Sequence, residues 1–122
     1  MLFLTALLAL HLAPVSPTAP NRQPQLAAGN GTVALVFGSG ESIWMARSAD
    51  DGRTFTAPAK VADLPKLSLG RHRGPRVVIS GNAIVVSAIP AQGDLFAWRS
   101  TDAGRREMVF PLVNGHRGGG MP

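Results

Sequence analysis

Cysteine and tyrosine are absent from the 122 residues. Without cysteine there is no disulfide framework, no thiolate metal site, no cysteine nucleophile and no lipid-modified cysteine. Without tyrosine there is no phenolic nucleophile. Lysine is scarce: the twelve basic residues are ten Arg and two Lys, set against seven acidic residues for a net charge of +5. Aromatic residues make up only 6%. Nucleic-acid binders usually add lysine and interleave aromatics with it, so no nucleic-acid partner is expected. Ala, Gly, Pro and Arg together supply 51 residues, a bias that reads as GC-rich coding rather than selection for a polyanion. Charged residues are 16% and apolar residues 45%, which excludes a disordered charged tail and fits one domain at most.

No apolar run is long enough to cross a bilayer, which takes about 20 residues. The longest, residues 2–12, has the length of a signal-peptide core. The following Ala13-Pro-Val-Ser-Pro-Thr-Ala-Pro20 is rich in small residues and proline and holds a candidate cleavage site between Ala13 and Ala19. Residues 1–19 are therefore expected to be a signal-peptide-like helical segment with its linker, and the chain to be secreted or periplasmic. The other reading is a buried N-terminal helix, which four prolines between residues 14 and 24 oppose.

Beyond Gln23 short apolar runs alternate with Gly, Asn, Asp and Pro, and no helical period lasts beyond two turns. Strands are predicted at 25–28, 32–37, 42–48, 59–62, 76–80, 83–89 and 94–99, separated by turn signals such as Gly29-Asn30-Gly31 and Asp50-Asp51-Gly52. The segment repeats itself. Pro24-Gln-Leu-Ala-Ala-Gly-Asn-Gly-Thr-Val matches Pro75-Arg-Val-Val-Ile-Ser-Gly-Asn-Ala-Ile at an offset of 51. Ile43-Trp-Met-Ala-Arg-Ser-Ala-Asp-Asp-Gly-Arg matches Leu95-Phe-Ala-Trp-Arg-Ser-Thr-Asp-Ala-Gly-Arg at 52, so one residue is inserted near Gln92. A period near 50 with four strand slots is the spacing of a propeller blade. The fold class expected is all-β: a partial β-propeller of about two four-stranded antiparallel blades, near 24–66 and 75–105.

The sharpest local motif is Ser48-Ala-Asp-Asp-Gly-Arg-Thr-Phe55. Ser48 and Asp50 are short acceptors able to bond backbone N–H groups two residues on. Gly52 supplies a positive φ, Thr54 resumes β geometry, and Phe55 is expected to anchor the hairpin from beneath. Such a turn is structural. Asp50 and Asp51 fall well short of the roughly six oxygens a calcium loop needs, so neither a metal nor a cofactor is expected. A second copy begins at Ser100, Asp102 and Gly104 but runs into Arg106 and Glu107 where the repeat asks for Thr and an aromatic. This break predicts a truncated or frame-shifted copy of a longer protein, with 106–122 a divergent, disordered tail. The alternative is a divergent fourth strand at 107–113.

The motif Ser-x-Asp-x-Gly-x-Thr-aromatic resembles the Asp-box (BNR repeat) of the sialidase, or neuraminidase, superfamily, over about residues 24–105. The resemblance implies a six-bladed propeller whose retaining chemistry uses a Tyr nucleophile supported by Glu, an Asp acid/base and three arginines that clamp a sialic-acid carboxylate. This chain has no Tyr and less than half of the roughly 300 residues six blades need, so no catalytic residue is assigned in it. The clamp is a different matter. In Leu69-Gly-Arg-His-Arg-Gly-Pro-Arg76, the guanidinium forks of Arg71, Arg73 and Arg76 are suited to paired hydrogen bonds with a carboxylate. The resemblance makes them clamp candidates, against the plainer reading of a solvated loop, and His72 has no carboxylate at a spacing that would orient it. Trp44 and Trp98 read as packing residues. The expected function is a fragment of an exported exo-α-sialidase-type glycoside hydrolase, inactive alone. The alternative is a non-catalytic Asp-box module binding carbohydrate or protein. Sialylated or other acidic glycans are the expected partners. Two blades also leave apolar surface wet, and self-association through exposed strand edges at 33–37 and 84–86 is expected.

Overall fold

The computed structural model describes residues 11–102. The expectations for the signal-like run up to residue 10, for Gly104 and for 106–122 fall outside those residues. Each predicted strand forms: β1 (Arg22–Gly29), β2 (Thr32–Ser39), β3 (Ser42–Ser48), β4 (Ala59–Asp63), β5 (Arg76–Ser80), β6 (Ala83–Ala88) and β7 (Phe96–Ser100). Among the described residues there is no helix. Short connections dictate the topology, because a two-residue loop can only return a strand antiparallel to its predecessor. Asn30 and Gly31, at φ 51° and 73°, make such a return between β1 and β2. The result is an antiparallel four-stranded sheet, β1-β2-β3-β4, and an antiparallel three-stranded sheet, β5-β6-β7.

The repeat read from the sequence is a repeat of pairing register. Five successive pairs from Val33↔Ser48 to Phe37↔Trp44 in the first sheet correspond to Ile84↔Ser100 to Ala88↔Phe96 in the second. The offset is 51 on β2 and β6 and 52 on β3 and β7, and the extra residue falls in the loop 89–95. The two sheets share one core. The first contributes Ala34, Val36, Ile43, Met45 and Val61; the second contributes Val77, Ile84, Val86, Ala88 and Trp98. In the repeat frame these are opposite faces, since Ala34 corresponds to Val85 and Ile84 to Val33. The sheets therefore stack front to back rather than face to face.

Between the sheets, the edge strands β1 and β5 lie closest. Gly29 permits this approach, because a Cβ there would stand 3.1 Å from Ile79 Cγ2. Two polar ties cross the gap: the Val77 amide donates to Gln25 Oε1 at 3.0 Å, and Asn30 Nδ2 donates to Asn82 Oδ1 at 2.9 Å. Leu64 and Leu67, in the link from β4 to β5, close the core. The link is held to the 89–95 loop by Ser68 N–H to Ile89 O (3.2 Å) and Ala91 N–H to Lys66 O (2.8 Å).

One expectation is corrected. Residues 33–37 and 84–86 are not bare strand edges: β2 is flanked by β1 and β3, and β6 by β5 and β7. In a meander the second strand acquires two neighbours; β2 is buried on both faces from Ala34 to Ser39, while β6 alternates buried and half-buried positions. The wet apolar surface lies on faces instead. Val78 (59% exposed) sits on the side of the second sheet turned away from the first, Leu26 (61%) sits on the far side of the first sheet, and Ile89 and Leu95 are exposed in the loop between β6 and β7. A fourth strand of the second sheet, expected at 107–113, lies outside the described residues.

Candidate functional site

The turn between β3 and β4 is built by its own side chains. Ser48 is buried, and its hydroxyl accepts from the Gly52 amide at 2.8 Å and the Asp50 amide at 3.3 Å. It donates in turn to Asp50 Oδ1 at 2.7 Å. The Asp50 carboxylate also accepts from the Thr54 amide (2.8 Å, Oδ1) and the Thr54 hydroxyl (2.5 Å, Oδ2). Three of the roughly four acceptor sites of this carboxylate are thus spent inside the turn, which leaves it a brace rather than a proton carrier. Asp51 (φ 61°) and Gly52 (φ 84°) both take left-handed conformations. Phe55 is half-buried and stands outside the apolar core. The hairpin is sealed instead by Thr56, whose amide donates to Arg47 O (2.8 Å) and whose hydroxyl accepts from the Arg47 amide (3.0 Å). The second copy starts the same way, with the Ser100 hydroxyl donating to Asp102 Oδ1 at 2.8 Å.

The Thr54 hydroxyl and amide, and the Ser48 hydroxyl, hold the Asp50 carboxyl well below its ordinary value of 3.8. A depressed carboxyl stabilises the fold above the unfolded-state value and loses that contribution as pH falls through the folded value. Acidification below about pH 4 is therefore expected to loosen this turn. Following the Thr54 amide by NMR from pH 6 downward checks it: the wild-type resonance should shift only well below pH 4, and Asp50→Asn should remove the transition.

The second cluster lies where β1 and β5 begin. β1 carries a register irregularity between Arg22 and Gln25, with Gln23 at φ 55°. The β4–β5 link arrives opposite it, with His72 at φ 59° and Gly74 at φ 145°, and Pro75 buried. The two distortions fit together, since a Cβ on Gly74 would stand 2.5 Å from Gln23 Cβ. Between them lies a shallow cleft lined by Gln23, Gln25, His72, Arg73 and Arg76. Of the three clamp candidates, Arg73 and Arg76 line this cleft. Arg71 is exposed on the link but does not line it. Among the described residues the one ion pair joins Lys60 to Asp63 at 3.2 Å, so neither Arg73 nor Arg76 is neutralised by a carboxylate. Exposed guanidiniums beside two glutamine amides can hold a planar anion. Gln23 and Gln25 were not singled out in the sequence. The signal that could have found Gln25 is its register with Arg76, a neutral amide aligned with a cation.

The tryptophans serve packing. Trp98 is buried in the shared core and stacks on Phe96 with centroids 6.2 Å apart. Trp44 is half-buried beneath Lys60, whose Nζ lies 5.6 Å from the ring centroid. Among the described residues no three His, Asp or Glu side chains gather as a metal site, and no helix is long and apolar enough to cross a membrane. No family model, no curated protein and no solved structure matches the chain.

Proposed function

We propose that residues 22–102 are two successive blades of an exported Asp-box β-propeller of the sialidase type, and that their inner-end cleft binds an acidic sugar through its carboxylate without hydrolysing it. Front-to-back stacking of two sheets in one repeat register is how neighbouring blades meet, and β1 against β5 corresponds to inner strand against inner strand. The observation that carries the ligand reading is the pair of exposed guanidiniums, Arg73 and Arg76, at those inner ends with no carboxylate among the described residues spent on them. The chain contributes recognition only. It has no tyrosine to act as nucleophile, and Asp50 is committed to its turn. In the enzyme reading the reacting groups come from outside this sequence, and the clamp is what this sequence supplies.

The test is titration of the protein with N-acetylneuraminate and, separately, with a neutral N-acetylated sugar, followed by amide NMR. Shifts at residues 23–25 and 72–76 with the acidic sugar only are expected. Arg73→Ala with Arg76→Ala should weaken binding at least about tenfold, since each is a charge-assisted donor. Equal response to the neutral sugar would overturn the carboxylate reading, and release of product from a fluorogenic sialoside would overturn the absence of hydrolysis.

A further inference from the structure

The face of the second sheet turned away from the first corresponds, residue for residue, to a face that is buried. Val78 stands in the register of Ala27, Val85 of Ala34 and Ala97 of Met45. In the first sheet, Ala34 and Met45 are at most 1% exposed, inside the core the two sheets share; in the second sheet Val78 is 59% exposed. The complementary face is also present on every copy of the chain. The outward side of the first sheet presents Leu26 and Val33 in the register of Val77 and Ile84, the residues that pack between the sheets. Of the exposed large hydrophobic side chains among the described residues, Leu26 and Val78 fall on these two outward faces, and Ile89 and Leu95 stand just beyond the facing ends of β6 and β7.

We infer that the protein associates head to tail, with the Val78 and Val85 face of one copy seated on the Leu26 and Val33 face of the next. The inference rests on the two-blade reading of the fold. Such a contact is heterologous, so it can propagate or close into a ring. It is confined to the Leu26 side of the first sheet, because Leu35 and Phe37 on the same face are already buried, next to Leu12 and Pro24.

The contact between copies is weaker than the contact within one. Inside the chain Gln25 accepts the Val77 amide, but the register-equivalent of Gln25 is Arg76, and a guanidinium has no acceptor. The second tie is lost too, since Gly81 and Gly31 take the places of Asn82's partner Asn30 and of Asn82 itself. Arg76→Gln restores an acceptor opposite the Leu26 amide of the next copy and should tighten association roughly three- to tenfold.

Sedimentation of the full chain tests the inference. The wild type should show a mass that rises with concentration. Val78→Asp and Leu26→Asp, each checked for an unchanged far-UV spectrum, should each be monomeric. Mixed, they should form a one-to-one heterodimer, because each keeps the face that the other has lost. Val78→Thr and Leu26→Thr serve as milder versions that preserve strand propensity. A monomeric wild type at several hundred micromolar, self-association of either Asp variant alone, or failure of the mixture to pair would overturn the inference. Sugar binding is read separately. A chain that forms the heterodimer but ignores N-acetylneuraminate sinks only the ligand reading, and one that binds it but stays monomeric sinks only the head-to-tail contact.

Discussion

Ile84→Ala is expected to cost about 4 kcal/mol of unfolding free energy, near the upper part of the range for removing a branched side chain from a closed core. Ile84 has no exposed surface and lies on β6, with β5 and β7 on either side and the first sheet across the core. A cavity there cannot be filled by sliding one sheet toward the other. Gln25 to Val77 and Asn30 to Asn82 fix the spacing at β1 and β5, and Ile79 packs so near Gly29 that a Cβ there would stand 3.1 Å from its Cγ2. Urea unfolding followed by tryptophan fluorescence reads the change, since Trp98 is in the same cluster. Val78→Ala on the next strand, measured at a concentration low enough to keep the chain monomeric, is the control: its side chain is then largely exposed, and the change should stay within about 0.5 kcal/mol. A cost below about 1 kcal/mol at Ile84 would mean that the two sheets do not share a core.

Gly74→Ala is the other substitution with a large expected effect, and it acts through geometry rather than burial. At φ 145° the backbone is in a region essentially reserved for glycine, which alone costs on the order of 1–3 kcal/mol for any other residue. The added methyl would stand 2.5 Å from Gln23 Cβ, an atom fixed to the β1 backbone that no rotamer can move aside. Together these predict a loss of at least about 3 kcal/mol, or a displaced link with the cleft opened. In the second case Arg73 and Arg76 no longer face Gln23 and Gln25, so binding of N-acetylneuraminate should fall even at temperatures where the sheets persist. Gly70→Ala in the same link meets nothing within 4 Å and has no positive φ, so it should be close to neutral. A Gly74→Ala protein with wild-type melting and wild-type sugar binding would show that the fit between link and strand has no consequence.

Strands and turns were legible because their causes are local. Alternation, β-branched runs and Asn-Gly or Gly-Asn turns act within a few residues, and β3 and β5 form within the bounds expected for them. The brace from Ser48 to Thr54 was legible for the same reason: its donors and acceptors lie within six residues of one another. Phe55 was less so. Phe55 is half-buried outside the shared core, and the Thr56 hydrogen bonds to Arg47 that close the hairpin beside it depend on a meeting of strands that only folding provides.

By itself, then, the sequence determined an all-β meander in two registered copies, a self-bonded turn and a cluster of arginines. Each depends on interactions shorter than one hairpin. Which face of each sheet is dry, which arginines line a cleft, and where the apolar surface remains wet were decided only by the stacking of the sheets. A strand with apolar residues on both sides carries no mark of which side meets its neighbour, and that choice is made by the packing of residues about 50 positions apart.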